Sequence, residues 1–147
     1  MNGRFIIRVY ALIIHSDFIL ICDENYDGYY MTKFPGGGVE YGEGIRDALI
    51  REIKEEMQAE ITELSHFYTT DFFQASAFHK DTQLISVYYR AAIKNVESFP
   101  ANVSFIPTYP ENKYSSYFRW IPVRELTADA LTFPIDKHVA ELLKSKL

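Results

Sequence analysis

Residues 34–59, FPGGGVEYGEGIRDALIREIKEEMQA, join a run of glycines to a carboxylate-rich segment, and no other stretch limits the fold as strongly. Gly36, Gly37 and Gly38 permit backbone angles and close approaches that a side chain forbids. They follow an apolar segment, 29–34, that reads as a strand and ends before Pro35. A second turn over 41–44 carries Glu43 where a helix should start, and an acid there suits the positive end of the helix dipole. From Ile45 the period changes. Ile45, Leu49, Ile53 and Met57 recur every four residues, which predicts an amphipathic helix.

Glu52, Glu55 and Glu56 stand at i, i+3 and i+4 of that helix, so they project from neighbouring points at the edge of the apolar stripe. Three like charges within one turn repel one another. Arg51 and Lys54 offset part of this, and a divalent cation would offset more, since hard cations prefer carboxylate and carbonyl oxygens. A glutamate-rich face taken alone is more often plain solvated surface. The glycines change the balance, because Gly37, Glu43, Arg51, Glu52, Ile53, Glu55 and Glu56 fall at fixed spacings. With each residue type at roughly 7% usage, six fixed identities coincide by chance on the order of once in ten million starts. This pattern resembles the signature of the Nudix (MutT-like) hydrolases. It departs at Gln58 and Ala59, where the family has glycine and an aliphatic residue. The family glycine ends the helix in a left-handed conformation, so the resemblance predicts that the helix stops at Gln58.

The resemblance implies an α/β fold, a Nudix-type α/β/α sandwich around a mixed β-sheet. It implies a hydrolase that uses divalent metal and water to break a phosphoanhydride bond in a nucleoside diphosphate linked to another group. Mg²⁺ is the implied cofactor, with Mn²⁺ as a substitute. Its ligands would be Glu52, Glu55, Glu56 and the Gly37 carbonyl, while Arg51 would brace loop against helix through a salt bridge to Glu43. Glu52 is the default general base, with Asp71, Glu97 and Glu111 as alternatives in later segments. Arg8, Arg90 and Arg119 are candidates to hold phosphate oxygens, against the plainer reading of surface arginines. His15, His66, His79 and His138 show no metal-ligand spacing. A non-catalytic Nudix-fold nucleotide sensor is the alternative function, and a small domain binding metal structurally is a third. The aromatic-proline array of NADH pyrophosphatases and the extra motif of coenzyme A pyrophosphatases are not seen. Nucleoside triphosphates, nucleotide sugars, ADP-ribose and dinucleoside polyphosphates therefore stay open as substrates.

The chain of 147 residues fits a single domain over 1–147. A net charge of −5 and a pI near 5.3 argue against a nucleic-acid-coating surface. One cysteine, Cys22, permits no internal disulfide and reads as a small apolar strand residue, so a reducing cytoplasm is expected. No secretory signal is read at the start, and the apolar runs are too short to span a membrane. Strands are expected over 4–15, 18–22, 29–34, 61–71, 83–93 and 116–121, with a polar turn over 23–28 and a connection over 72–81. Short and closing helices are expected over 124–130 and from Pro134, where Ile135, Val139, Leu142 and Leu143 form a stripe. Residues 95–115 hold three prolines among aromatics and read as a long loop. Phe99, Phe105, Tyr109 and Tyr114 in it are candidates for base stacking, homodimer contact or plain loop packing.

Overall fold

The computed structural model describes residues 2–146. The fold is mixed α/β, and the chain forms two compact units. The first takes the chain up to Leu12 together with Gly36–Lys94, and the second takes Ile13–Pro35 with the chain from Asn95 onward.

In the first unit, β1 (Arg4–His15, which continues into the second unit) lies beside β6 (Thr82–Ile93), and β6 pairs antiparallel with β5 (Ile61–Thr69). The glycine run is itself a short strand, β4 (Gly36–Gly38), antiparallel to β1 with Val9 opposite Gly37. Gly36 sits at φ 151°, and a Cβ there would overlap the Val9 carbonyl and Tyr10. Only glycine lets the two backbones approach so closely. The helix α1 (Ile45–Met57) packs on β4 and β5 and buries Ala48, Leu49, Ile53 and Met57. Each large apolar side chain of that stripe contributes roughly 1.5–3 kcal/mol by leaving water. The helix ends where expected: Gln58 is left-handed, at φ 52° and ψ 31°.

In the second unit, β2 (Phe18–Tyr26) pairs with β8 (Ser115–Pro122) from Phe18↔Pro122 to Asn25↔Ser115. Its other edge meets the end of β1 and then β3 (Tyr29–Lys33). Both connections are two-residue hairpins, Ser16-Asp17 and Asp27-Gly28, with positive φ at all four residues. Such turns match the right-handed twist of the flanking strands. A parallel partner, β7 (Asn102–Val103), lines β8 and makes this sheet mixed. The closing helix α2 (Pro134–Ser145) starts on its proline and buries Ile135, Val139, Ala140 and Leu143 at helical spacing. The segment 124–130, expected as one short helix, is instead two 3₁₀ turns, Val123–Glu125 and Ala128–Ala130.

The expected turn over 23–28 is also corrected, because β2 runs on to Tyr26. Asp23 and Asn25 are buried there yet fully engaged. Arg119 donates to Asp23 from Nε (2.8 Å) and Nη2 (3.2 Å), and Thr32 Oγ1 donates to it at 2.7 Å. Asn25 Nδ2 donates to the Pro110 carbonyl at 2.9 Å. These bonds satisfy groups that burial would otherwise penalise. Arg119 spends its remaining edge on the Ser104 carbonyl (3.0 Å), so it is committed to the fold, not to phosphate.

Candidate active site

The glycine strand, the 39–44 turn and α1 meet around one guanidinium. Arg51 Nε donates to Glu43 Oε2 at 3.0 Å, and Nη2 donates to Glu43 Oε1 at 2.6 Å and to the Gly38 carbonyl at 3.0 Å. From Nη1 it reaches Glu52 Oε1 at 2.9 Å and Glu55 Oε2 at 3.3 Å. Glu43 also accepts the Glu40 N–H at 2.8 Å. The acid is thus not a helix cap: Gly44 occupies the N-cap position, and Asp47 is the acid of the first turn. The Arg51 guanidinium and the Glu40 N–H pull the Glu43 carboxyl down to about 2, while Glu43 pushes the arginine's pKa further upward.

Gly37 matters here for what it lacks. A Cβ on it would overlap the carboxyl group of Glu52. The strand therefore lets Glu52 lie directly against its backbone, and Arg51 Nη1 holds the same carboxylate at 2.9 Å. Glu55 points outward on the same face, and Glu56 has a buried Oε2. The Gly37 carbonyl, expected as a metal ligand, is placed differently. Val39 donates its N–H to Ile7 of β1, and ladder groups alternate along a strand. Gly37 therefore turns its carbonyl toward β1, whereas Gly38 turns its own toward Arg51.

Among the described residues no three His, Cys, Asp or Glu side chains are gathered as a metal site. Arg51 itself draws Glu52 and Glu55 together. The residue types still suit a hard divalent cation, since Glu52, Glu55 and Glu56 offer carboxylate oxygens from positions three and four apart on α1.

The other candidates are placed as follows. Arg8 lies opposite Gly38 in the β1–β4 register and donates from Nε to Tyr10 Oη at 2.6 Å. Arg90 is exposed on β6. Asp71 accepts the Tyr68 hydroxyl at 2.7 Å, and this contact with burial raises the Tyr68 pKa to about 12, burial being the larger cause. In the second unit, Glu97 lies 3.6 Å from His15, and the Glu111 carbonyl accepts from Asn25. His66 bonds Thr69 at 2.8 Å, while His79 and His138 are exposed. Of the loop aromatics, Tyr109 stacks on Tyr30, Phe99 meets Phe118 edge-on, Tyr114 meets Tyr26 edge-on, and Phe105 is exposed. Cys22 is buried, and among the described residues no helix is long and apolar enough to cross a membrane.

Sequence reasoning missed the Gly38 carbonyl as a partner of Arg51 and the Glu40 N–H as a partner of Glu43. Both are backbone groups, which no residue identity announces.

The fold is shared with solved proteins. A structure described as MutT from the fish pathogen Aliivibrio salmonicida and the mesophile Vibrio cholerae is 20% identical, with 97% of this chain and 99% of that one covered at a TM-score of 0.66. The E. coli ORF135 protein is also 20% identical, over 97% and 91% of the two chains, at 0.67. A structure described as an ADP compounds hydrolase is 14% identical over 97% and 72%, at 0.66. Comparison with curated proteins gives no match. The family model described as NUDIX domain matches residues 4–143 and so spans nearly the whole chain, the glycine strand and carboxylate helix included, and the chain belongs to the Nudix hydrolase family.

Proposed function

We propose that the protein is a metal-dependent hydrolase that cleaves a phosphoanhydride bond in a nucleoside diphosphate linked to another group. The observation that carries this reading is the packing of Glu52 into the space left by Gly37, with Arg51 tying it to Glu43 and Gly38. A helix face that was merely solvated would have no use for such an anchor.

Glu52, Glu55 and Glu56 would hold Mg²⁺, or Mn²⁺ in its place. The Gly36 carbonyl, which by the same alternation faces away from β1, would take the part expected of Gly37, while the Gly38 carbonyl stays with Arg51. When bound, the cation clamps the diphosphate, neutralises developing charge and makes water more acidic. The chain's own groups do the rest. Glu52 takes the proton of the attacking water on its carboxylate, the water oxygen bonds to phosphorus, and the bridging P–O bond breaks to release a phosphate product. Arg51 and Glu43 keep Glu52 in position throughout. Arg8, beside Gly38 in register, and the exposed Arg90 would neutralise outer phosphate oxygens. The acidic charge suits a small nucleotide substrate, not nucleic acid, and a buried lone cysteine suits a reducing cytoplasm.

The test is a panel of nucleoside triphosphates, nucleotide sugars, ADP-ribose and dinucleoside polyphosphates, each with Mg²⁺, Mn²⁺ or chelator, with products identified by mass. Cleavage of at least one compound with metal and none with chelator is expected. Binding of nucleotides without turnover of any would favour the sensor reading.

A further inference from the structure

The five N–H groups of Arg51 all have acceptors, and their holds are unequal. Glu43 is gripped by both Nε and Nη2 and is further fixed by the Glu40 N–H. Glu52 is only 15% exposed and rests against Gly37, at 2.9 Å from Nη1. Glu55 is 60% exposed and bonded at 3.3 Å, one turn along the helix from Arg51. Exposed pairs of that kind hold weakly, because water and salt replace them easily.

We propose that Glu55 is an exchangeable carboxylate: it leaves Arg51 Nη1 when a divalent cation binds, while Glu43, Gly38 and Glu52 stay on the guanidinium. The inference rests on the proposed metal site and deepens it, by dividing the carboxylates into a preset pair and a moving third. Glu52 is held by strand and arginine, and Glu56 already has a buried oxygen. Glu55 alone among them has both a weak partner and open space around it. A doubly charged, oxygen-preferring ion takes such a carboxylate from a guanidinium more readily than one held by two partners.

The experiment follows the Arg51 side-chain nitrogens by NMR during titration with MgCl₂ and measures Mg²⁺ affinity of wild type and Glu55→Gln by calorimetry, without substrate. Saturating Mg²⁺ is expected to shift the Nη1 resonances and leave the Nε resonance in place. Metal-free Glu55→Gln should melt within about 1 °C of wild type, since an exposed pair contributes little. Its Mg²⁺ dissociation constant should rise about tenfold or more. Unmoved Nη1 resonances at saturation, an Mg²⁺ affinity of the variant within about twofold of wild type, or a melt several degrees lower would each overturn the exchange and leave the metal site standing. A wild-type protein that binds no Mg²⁺ would overturn both.

Discussion

Gln58 shows how a single residue can keep a conformation for which its side chain is poorly suited. It stands at φ 52° where the family signature has glycine, a conformation that costs a residue with a Cβ about 1 kcal/mol or somewhat more. Part of that cost is offset by its own amide, whose Nε2 donates to the Glu55 carbonyl at 2.9 Å. An exposed hydrogen bond of this kind contributes about 0.5 kcal/mol or a little more. Gln58→Gly should therefore stabilise the protein by about 0.5 kcal/mol, because it relieves the strain and loses only the bond. Gln58→Ala keeps the strain and loses the bond, so it should destabilise by about 0.5–1 kcal/mol. Thermal melts should rank glycine above glutamine above alanine. Alanine equal to or above glycine would mean that the left-handed strain is not what this position costs.

At the scale of elements, the Glu43–Arg51 pair ties the 39–44 turn and β4 to α1. Its pH dependence has a definite sign. Glu43 falls from an ordinary 4.5 to about 2 in the folded protein, mainly through Arg51. The stabilisation it lends is complete above the unfolded value of 4.5 and is lost as pH falls through about 2. Arg51 stays charged across that range, since its own shift is upward. Urea midpoints of wild type and Glu43→Gln should thus differ above pH 4.5 and converge as pH approaches 2. A gap that persists unchanged to the lowest pH would contradict the ion pair. Much of this arrangement was legible in the sequence. The four-residue apolar repeat gives α1 and Pro134 gives the start of α2, while the Arg51–Glu43 brace follows from the family resemblance and not from spacing alone. What was not legible depends on distant partners or on backbone groups. Asp23 and Asn25 look like turn residues until Arg119, 96 positions away, and the Pro110 carbonyl satisfy them inside a sheet. Three glycines carry no strand propensity, so β4 appears only through its pairing with β1.

Across the whole molecule, the proposed chemistry is confined to the first unit, where β4, the 39–44 turn and α1 supply every group of the Arg51 cluster. The second unit holds the buried Asp23–Arg119 pair and its bonds to Ser104 and Thr108, a polar core that fixes a long loop in place. Nudix membership covers both units. The carboxylates on α1 are proposed to perform metal-dependent phosphoanhydride cleavage and not simply to form a charged surface. Steady-state turnover of the best substrate by wild type, Glu52→Gln and Glu56→Gln at saturating Mg²⁺, with melting temperatures measured alongside, tests this most directly. Each variant should stay folded and lose about 10²–10³ in turnover, the usual effect of removing one electrostatic contact at a reacting centre. Both variants retaining more than about half the wild-type rate, against a predicted loss of that size, would contradict the proposal.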